Sequence, residues 1–219
     1  MATTAIPAAA PVTMVRVWDP VVRIGHWVLV ATFATAYLSE GEPMWLHEWA
    51  GYLLAATVTL RIVWGFVGPE HARFRGFVRG PAAVLTYLKG LASGHPERHL
   101  GHSPAGGAMT VALLAALAFT ALTGMATLAV DDDQGPLAPW MGPTAAAAAP
   151  IASALADEDG DEDRDRRGED GESLWAEVHE LSANLSLALV VLHVAGLAVS
   201  SFVHRENLVR PMIDGTKRP

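Results

Sequence analysis

His179 and His193 stand fourteen residues apart, one just ahead of the last of four strongly apolar runs and one inside it. His26 lies within the first run, and His47 stands just ahead of the second. On an α-helix, a fourteen-residue step keeps two side chains within about 40° of one face and about 21 Å apart along the axis. Imidazole is costly in hydrocarbon, so a histidine there marks a functional position. Four of them, divisible into two pairs at two depths, point to two metal centres stacked across a membrane. Iron porphyrin held by histidine on both faces is the natural candidate.

Composition narrows the chemistry. The 219 residues include no cysteine, which excludes disulfides, thiolate zinc, iron–sulfur clusters and covalent haem attachment. Histidine is left as the main soft ligand. With 51% hydrophobic and 17% charged residues, the chain suits one compact unit of about four membrane spans. The net charge of −8 is unevenly placed. Segment 131–177 holds fourteen acids and three arginines, so the rest of the chain is net basic. The first fourteen residues carry no charge and lack the basic and apolar regions of a signal peptide.

The elements that must position the histidines are the apolar runs 21–38, 49–67, 108–130 and 181–203. Their lengths suit a hydrocarbon core of about 30 Å. A soluble bundle would show a polar face every 3.6 residues, whereas the third run shows only scattered threonines. The expected fold is therefore all-α: a transmembrane four-helix bundle, read as a single domain over 1–219. Basic residues concentrate in 1–20, 68–107 and 204–219, and loop 39–48 has none. The positive-inside rule then puts both termini and the middle loop on the cytoplasmic side. Loop 131–178 lies outside, and its run DEDGDEDRDRRGEDGE is too charged to bury. Trp18, Trp45, Trp49 and Trp175 sit near span ends as interfacial anchors. Pro81 opens a short amphipathic helix on the cytoplasmic surface.

Depth pairs the histidines. His26 falls about 7 Å and His193 about 15 Å from the cytoplasmic ends of their runs, compatible within the uncertainty of span ends. His47 and His179 each stand two residues outside the apolar boundary on the exterior side. The expected pairs are His26–His193 near the inner face and His47–His179 near the outer face, about 20 Å apart. Small residues admit a flat ligand between helices. Gly25, Gly51, Ala183, Ala195 and Gly196 adjoin the histidines, and Gly124 lies in the third run. Gly51 and Gly124 are therefore candidate cofactor-binding positions. Arg23 and Arg61 are candidate partners for the acidic side arms of a porphyrin, against the alternative that they snorkel to lipid phosphates.

Other readings stand beside these. A single histidine near a span end is more often interfacial than a ligand, and that applies to His47 or His179 taken alone. His71, His95, His99, His102 and His204 read as solvated surface groups. A metal transporter would place acids within its spans, and the runs contain none. There is no phosphate-binding loop, dinucleotide fingerprint, nucleophile constellation or nucleic-acid-binding basic groove.

The segments RIGHW (23–27), LHEWAGY (46–52), RIVWGFVGP (61–69), VHELSANL (178–185), LHVAG (192–196) and HRENLVRPM (204–212) resemble the bacterial cytochrome b561 and nickel-hydrogenase cytochrome b family. The likeness spans nearly everything outside the acidic insert. It implies a four-helix bundle with two b-type haems, ligated at His26, His47, His179 and His193, that passes electrons between quinone and a redox partner protein. The partner could be an exterior cytochrome c or a hydrogenase or dehydrogenase subunit, and the direction of flow stays open, as does self-association into a homo-oligomer. A third version acts alone, oxidising superoxide and reducing quinone. The alternative is a structural or assembly haem subunit of a larger complex, without quinone chemistry of its own.

Overall fold

Four long helices follow from the four apolar runs, and local capping fixes where each begins. The computed structural model describes residues 15–40, 43–94, 97, 99, 101–143 and 173–217. Helix α1 spans Pro20–Leu38, with proline where no amide is needed. The Asp19 carboxylate accepts from the amides of Val21 and Val22, at 2.9 and 3.2 Å. Helix α2 spans Met44–Val67. A 3₁₀ turn (Glu70–Ala72), a four-residue helix α3 (Phe74–Phe77) and helix α4 (Pro81–Ala92) lead to α5, Pro104–Asp132. There Ser103 Oγ caps the amide of Gly106 and Pro104 again takes the first position. A short α6 (Ala138–Met141) follows, and then α7 (Leu174–His204), capped by Ser173.

Helices α1, α2, α5 and α7 are each long and apolar enough to cross a membrane. All four outrun the apolar stretches. Helix α2 starts five residues and α7 seven residues before its apolar run, so His47 and His179 lie a little inside the helix starts at which they were expected. Most of segment 131–178 falls outside the described residues, including the whole acidic run 157–172.

Close backbone packing runs from α1 to α2, α2 to α5 and α5 to α7. Between α2 and α5, Leu54, Val58, Leu114 and Leu117 form a buried cluster. Between α5 and α7 the contact is hydroxylic: Thr120 Oγ1 meets Ser186 Oγ at 3.0 Å and Thr123 Oγ1 meets Ser182 Oγ at 3.3 Å. Ser186 and Thr123 are fully buried. Small hydroxyl residues let helices approach closely where no solvent drives apolar association. Helices α1 and α7 do not share such packing. They reach each other through long side chains, as where Tyr37 Oη donates to Asn184 Oδ1 at 2.9 Å.

A second cluster closes the end of the bundle where the chain termini lie. After α7, Arg205 turns the chain through the left-handed region at φ 52°, and a short α8 (Arg210–Asp214) follows. Gly215, at φ 81°, admits the next turn, which L side chains resist. Strand β2 (Thr216–Lys217) then pairs antiparallel with β1 (Val15–Arg16), pairing Val15 with Lys217 and Arg16 with Thr216. The Gly215 carbonyl accepts from the amides of Val17 and Trp18, and Trp27 Nε1 donates to Met212 O at 3.2 Å. This clasp buries Val17, Trp18, Val22 and Ala72, with Trp64 and Met212 against them. Apart from this two-residue pairing, the regular structure among the described residues is helical, as expected.

Candidate metal centres

The four histidines of the bundle fall at its two ends. At the end away from the termini, the rings of His47 and His179 lie with centroids 6.0 Å apart and planes at 88°. The surroundings fix the tautomer of both. His47 Nδ1 lies 2.8 Å from the carbonyl of Ala36, in the last turn of α1, where no helical amide follows to use it. His179 Nδ1 lies 3.0 Å from the carbonyl of Thr120 on α5. A carbonyl only accepts, so each Nδ1 carries the proton and donates it. Each Nε2 is thereby left with a lone pair for a metal, the usual arrangement of a metal-bound histidine with its outer nitrogen held by backbone.

The spacing agrees. His47 and His179, with ring centres 6.0 Å apart, would hold a metal ion between them. No group of three or more histidine, cysteine or acidic side chains converges on a metal position among the described residues. A macrocycle would provide the remaining ligands that a pair of imidazoles lacks, so this donor set fits haem.

Gly124 belongs to this arrangement for a specific reason. A Cβ there would stand 2.8 Å from His179 Cε1 and 3.2 Å from Nδ1. The missing side chain lets the ring lie on α5 and reach Thr120. Thr123 Oγ1, 3.2 Å from His179 Nδ1, adds a second oxygen beside it. Gly51 stands one turn after His47, and a Cβ there would meet nothing within 4 Å.

At the termini end, His26 on α1 and His193 on α7 are close enough to interact electrostatically. His26 Nδ1 is buried without a partner, and its ring packs edge-on to Trp27 at 5.3 Å. Arg61 is buried, and its guanidinium lies 5.4 Å from the Phe74 ring centre and 6.0 Å from that of Phe77. Arg23 Nε, one turn before His26, is also buried and unpartnered.

His102 departs from the expectation of a solvated group. Its ring lies 4.5 Å edge-on to Trp18 and 4.2 Å from the Phe77 ring centre. Burial, with Arg61 and His193 nearby, holds its pKa down to about 3, so the imidazole is neutral at physiological pH. The HPERHLGH stretch reads as polar surface, and only the packing of α3 and the terminal clasp encloses its last histidine. Elsewhere at this end, Tyr87 Oη lies 3.4 Å from His204 Nε2 and 3.5 Å from Ser200 Oγ, which ties α4 to α7.

No curated protein and no solved structure matches the chain. A family model described as prokaryotic cytochrome b561 matches residues 17–215. The match takes in all four long helices and stops just inside the two strands of the terminal clasp. With four helices long and apolar enough to cross a membrane, the protein belongs to the prokaryotic cytochrome b561 family, membrane-embedded electron-transfer proteins that bind b-type haem.

Proposed function

We propose that this chain carries two haems, each gripped by two imidazoles, and passes electrons across the bilayer between a quinone pool and a redox partner protein. His47 and His179 hold one haem; His26 and His193 hold the other. The observation that carries the reading is the first pair, with rings at 6.0 Å and both Nδ1 atoms committed to carbonyls. Haem held by these residues would supply one-electron redox chemistry, and a pair of imidazoles on each iron would leave no position for oxygen.

The chain's own contribution is positional and electrostatic. Ala36 and Thr120 orient the ligand rings and raise their basicity through the Nδ1 hydrogen bonds. Apolar helix faces keep water from the centre of the bundle. Arg23 and Arg61 place positive charge at the His26–His193 end, where it partners porphyrin carboxylates and favours the reduced form. The concentration of Arg and Lys in the termini and the middle segment supports a cytoplasmic location for that end in a bacterial inner membrane. The His47–His179 end and the acidic insert then face the exterior, where fourteen acids steer a basic partner.

Haem-to-protein ratio and redox titration of wild type and His193→Ala test this reading. Wild type carries two haems that titrate separately, and the variant keeps the one held by His47 and His179. One haem in wild type, or loss of both in a folded variant, overturns the assignment. Full haem content without reduction by added quinol removes the quinone chemistry and leaves a structural haem subunit.

A further inference from the structure

The termini end gathers buried polar atoms that the protein itself leaves unanswered. Arg23 Nε, His26 Nδ1, Arg61 Nη1, Trp64 Nε1 and His102 Nδ1 are all without solvent and without a hydrogen-bond partner. His26 belongs to the ligand pair. The other four come from three segments. Arg23 stands one turn before His26 on α1, and Arg61 and Trp64 stand one turn apart on α2, so each pair shares a helix face. His102 enters from the segment before α5.

Their neighbours bring them together. His102 packs against Trp18 and Phe77, and Arg61 lies over Phe77. Trp64 packs on the cluster that contains Trp18. The Arg23 guanidinium passes beside Gly215, whose carbonyl accepts from the Trp18 amide.

The set is all nitrogen. Arginine and tryptophan only donate, and a neutral imidazole can place its proton on Nδ1. No ion pair neutralises either arginine among the described residues. Asp19, the acid that acts on Arg61, already spends its Oδ1 on the α1 amides. A buried donor without an acceptor costs about 1–3 kcal/mol, and more when charged. Four in one place call for an anion with several acceptor oxygens.

We infer that Arg23, Arg61, Trp64 and His102 form one carboxylate-binding pocket, and that it holds the side-arm carboxylates of the haem carried by His26 and His193. This rests on the two-haem reading above and adds His102 and Trp64 to the residues that seat that haem. A lipid phosphate or free phosphate would satisfy the same donors. The haem's carboxylates are favoured because Arg23 stands one turn before His26 on the same face of α1.

Redox titration of the holoprotein with three variants tests the pocket. His102→Leu and Trp64→Phe each remove one donor, and His102→Gln restores an N–H near the same place. Both haems are retained in all three. In His102→Leu the termini-end haem becomes harder to reduce, by a shift on the order of tenfold in its reduction equilibrium, or about 59 mV. Trp64→Phe shifts it the same way, His102→Gln returns it towards wild type, and the other haem does not move. Protein assembled with the dimethyl ester of haem, which lacks the carboxylates, shows no difference between wild type and His102→Leu. Unchanged potentials in both donor-removing variants overturn the pocket. A difference that persists with the ester overturns its assignment to haem in favour of a phosphate. Wild type with fewer than two haems is a separate failure, that of the two-haem reading.

Discussion

Gly124→Ala adds one methyl group at the position where α5 supports His179. The new Cβ would stand 2.8 Å from His179 Cε1, 3.2 Å from Nδ1 and 3.4 Å from Nε2. Carbon atoms settle at about 3.5–4.0 Å, so the ring must retreat by about 0.7 Å or more. The retreat carries Nδ1 away from the Thr120 carbonyl, now at 3.0 Å, towards the limit of a useful hydrogen bond. Overpacking of this kind costs about 1–3 kcal/mol, or roughly 5- to 150-fold in the equilibrium it disturbs. Loss of an outer-nitrogen partner weakens metal binding by about 10- to 100-fold, so the two routes agree. Alanine also favours the helix by up to about 1 kcal/mol, which offsets part of the cost to the fold but none of the cost to the ligand. The expected result is a protein that folds, keeps the haem at His26–His193 and loses most of the other during purification. Haem-to-protein ratio and low-temperature spin resonance read this directly. Two haems with an unchanged spin-resonance signal for the His47–His179 centre would refute the role given to Gly124.

Three further outcomes follow from the same geometry. Gly51→Ala meets no protein atom within 4 Å, so it should leave the haem-free fold unchanged and reduce haem retention at His47–His179; full retention sets Gly51 apart from the porphyrin. In haem-free protein, His102 stays neutral down to about pH 3, whereas the unfolded chain protonates it near 6.5. Stability should therefore fall with falling pH between those values, by up to about 1.4 kcal/mol per unit, and His102→Phe should flatten the decline in melting temperature measured across that range. Gly107→Ala would put a Cβ 2.7 Å from the backbone oxygen of Phe77, so it should destabilise the start of α5 by about 1–3 kcal/mol in thermal melts, while Gly80→Ala, in open space, should not.

The long helices were legible because hydrocarbon demands length and apolarity, and both are visible in a sequence. Helix α4 was legible from Pro81 and its apolar spacing. The true starts of α2 and α7 were not, because these helices continue past the apolar boundary into polar residues that only a cap such as Ser173 delimits. The meeting of His47 and His179 could be expected from equal depth alone. The carbonyls that orient them could not, since Ala36 and Thr120 offer backbone atoms that every residue has. His102 gave no signal. It sits in a polar stretch with no periodicity, and its burial depends on Trp18 and Phe77, which are 84 and 25 residues away in the chain. The β1–β2 pairing is too short to leave any alternation.

The terminal clasp has a consequence for the order in which the protein matures. Helices α1, α2 and α5 and the beginning of α7 present His47 and His179 with their backbone partners, and all precede strand β2 in the chain. At the opposite end, the start of α1 is joined to the end of α7 through the later strand, Thr216–Lys217. His26 and His193 are therefore held in register only after Thr216–Lys217 has been made. The two histidine pairs thus take shape in the order of synthesis, His47 and His179 first.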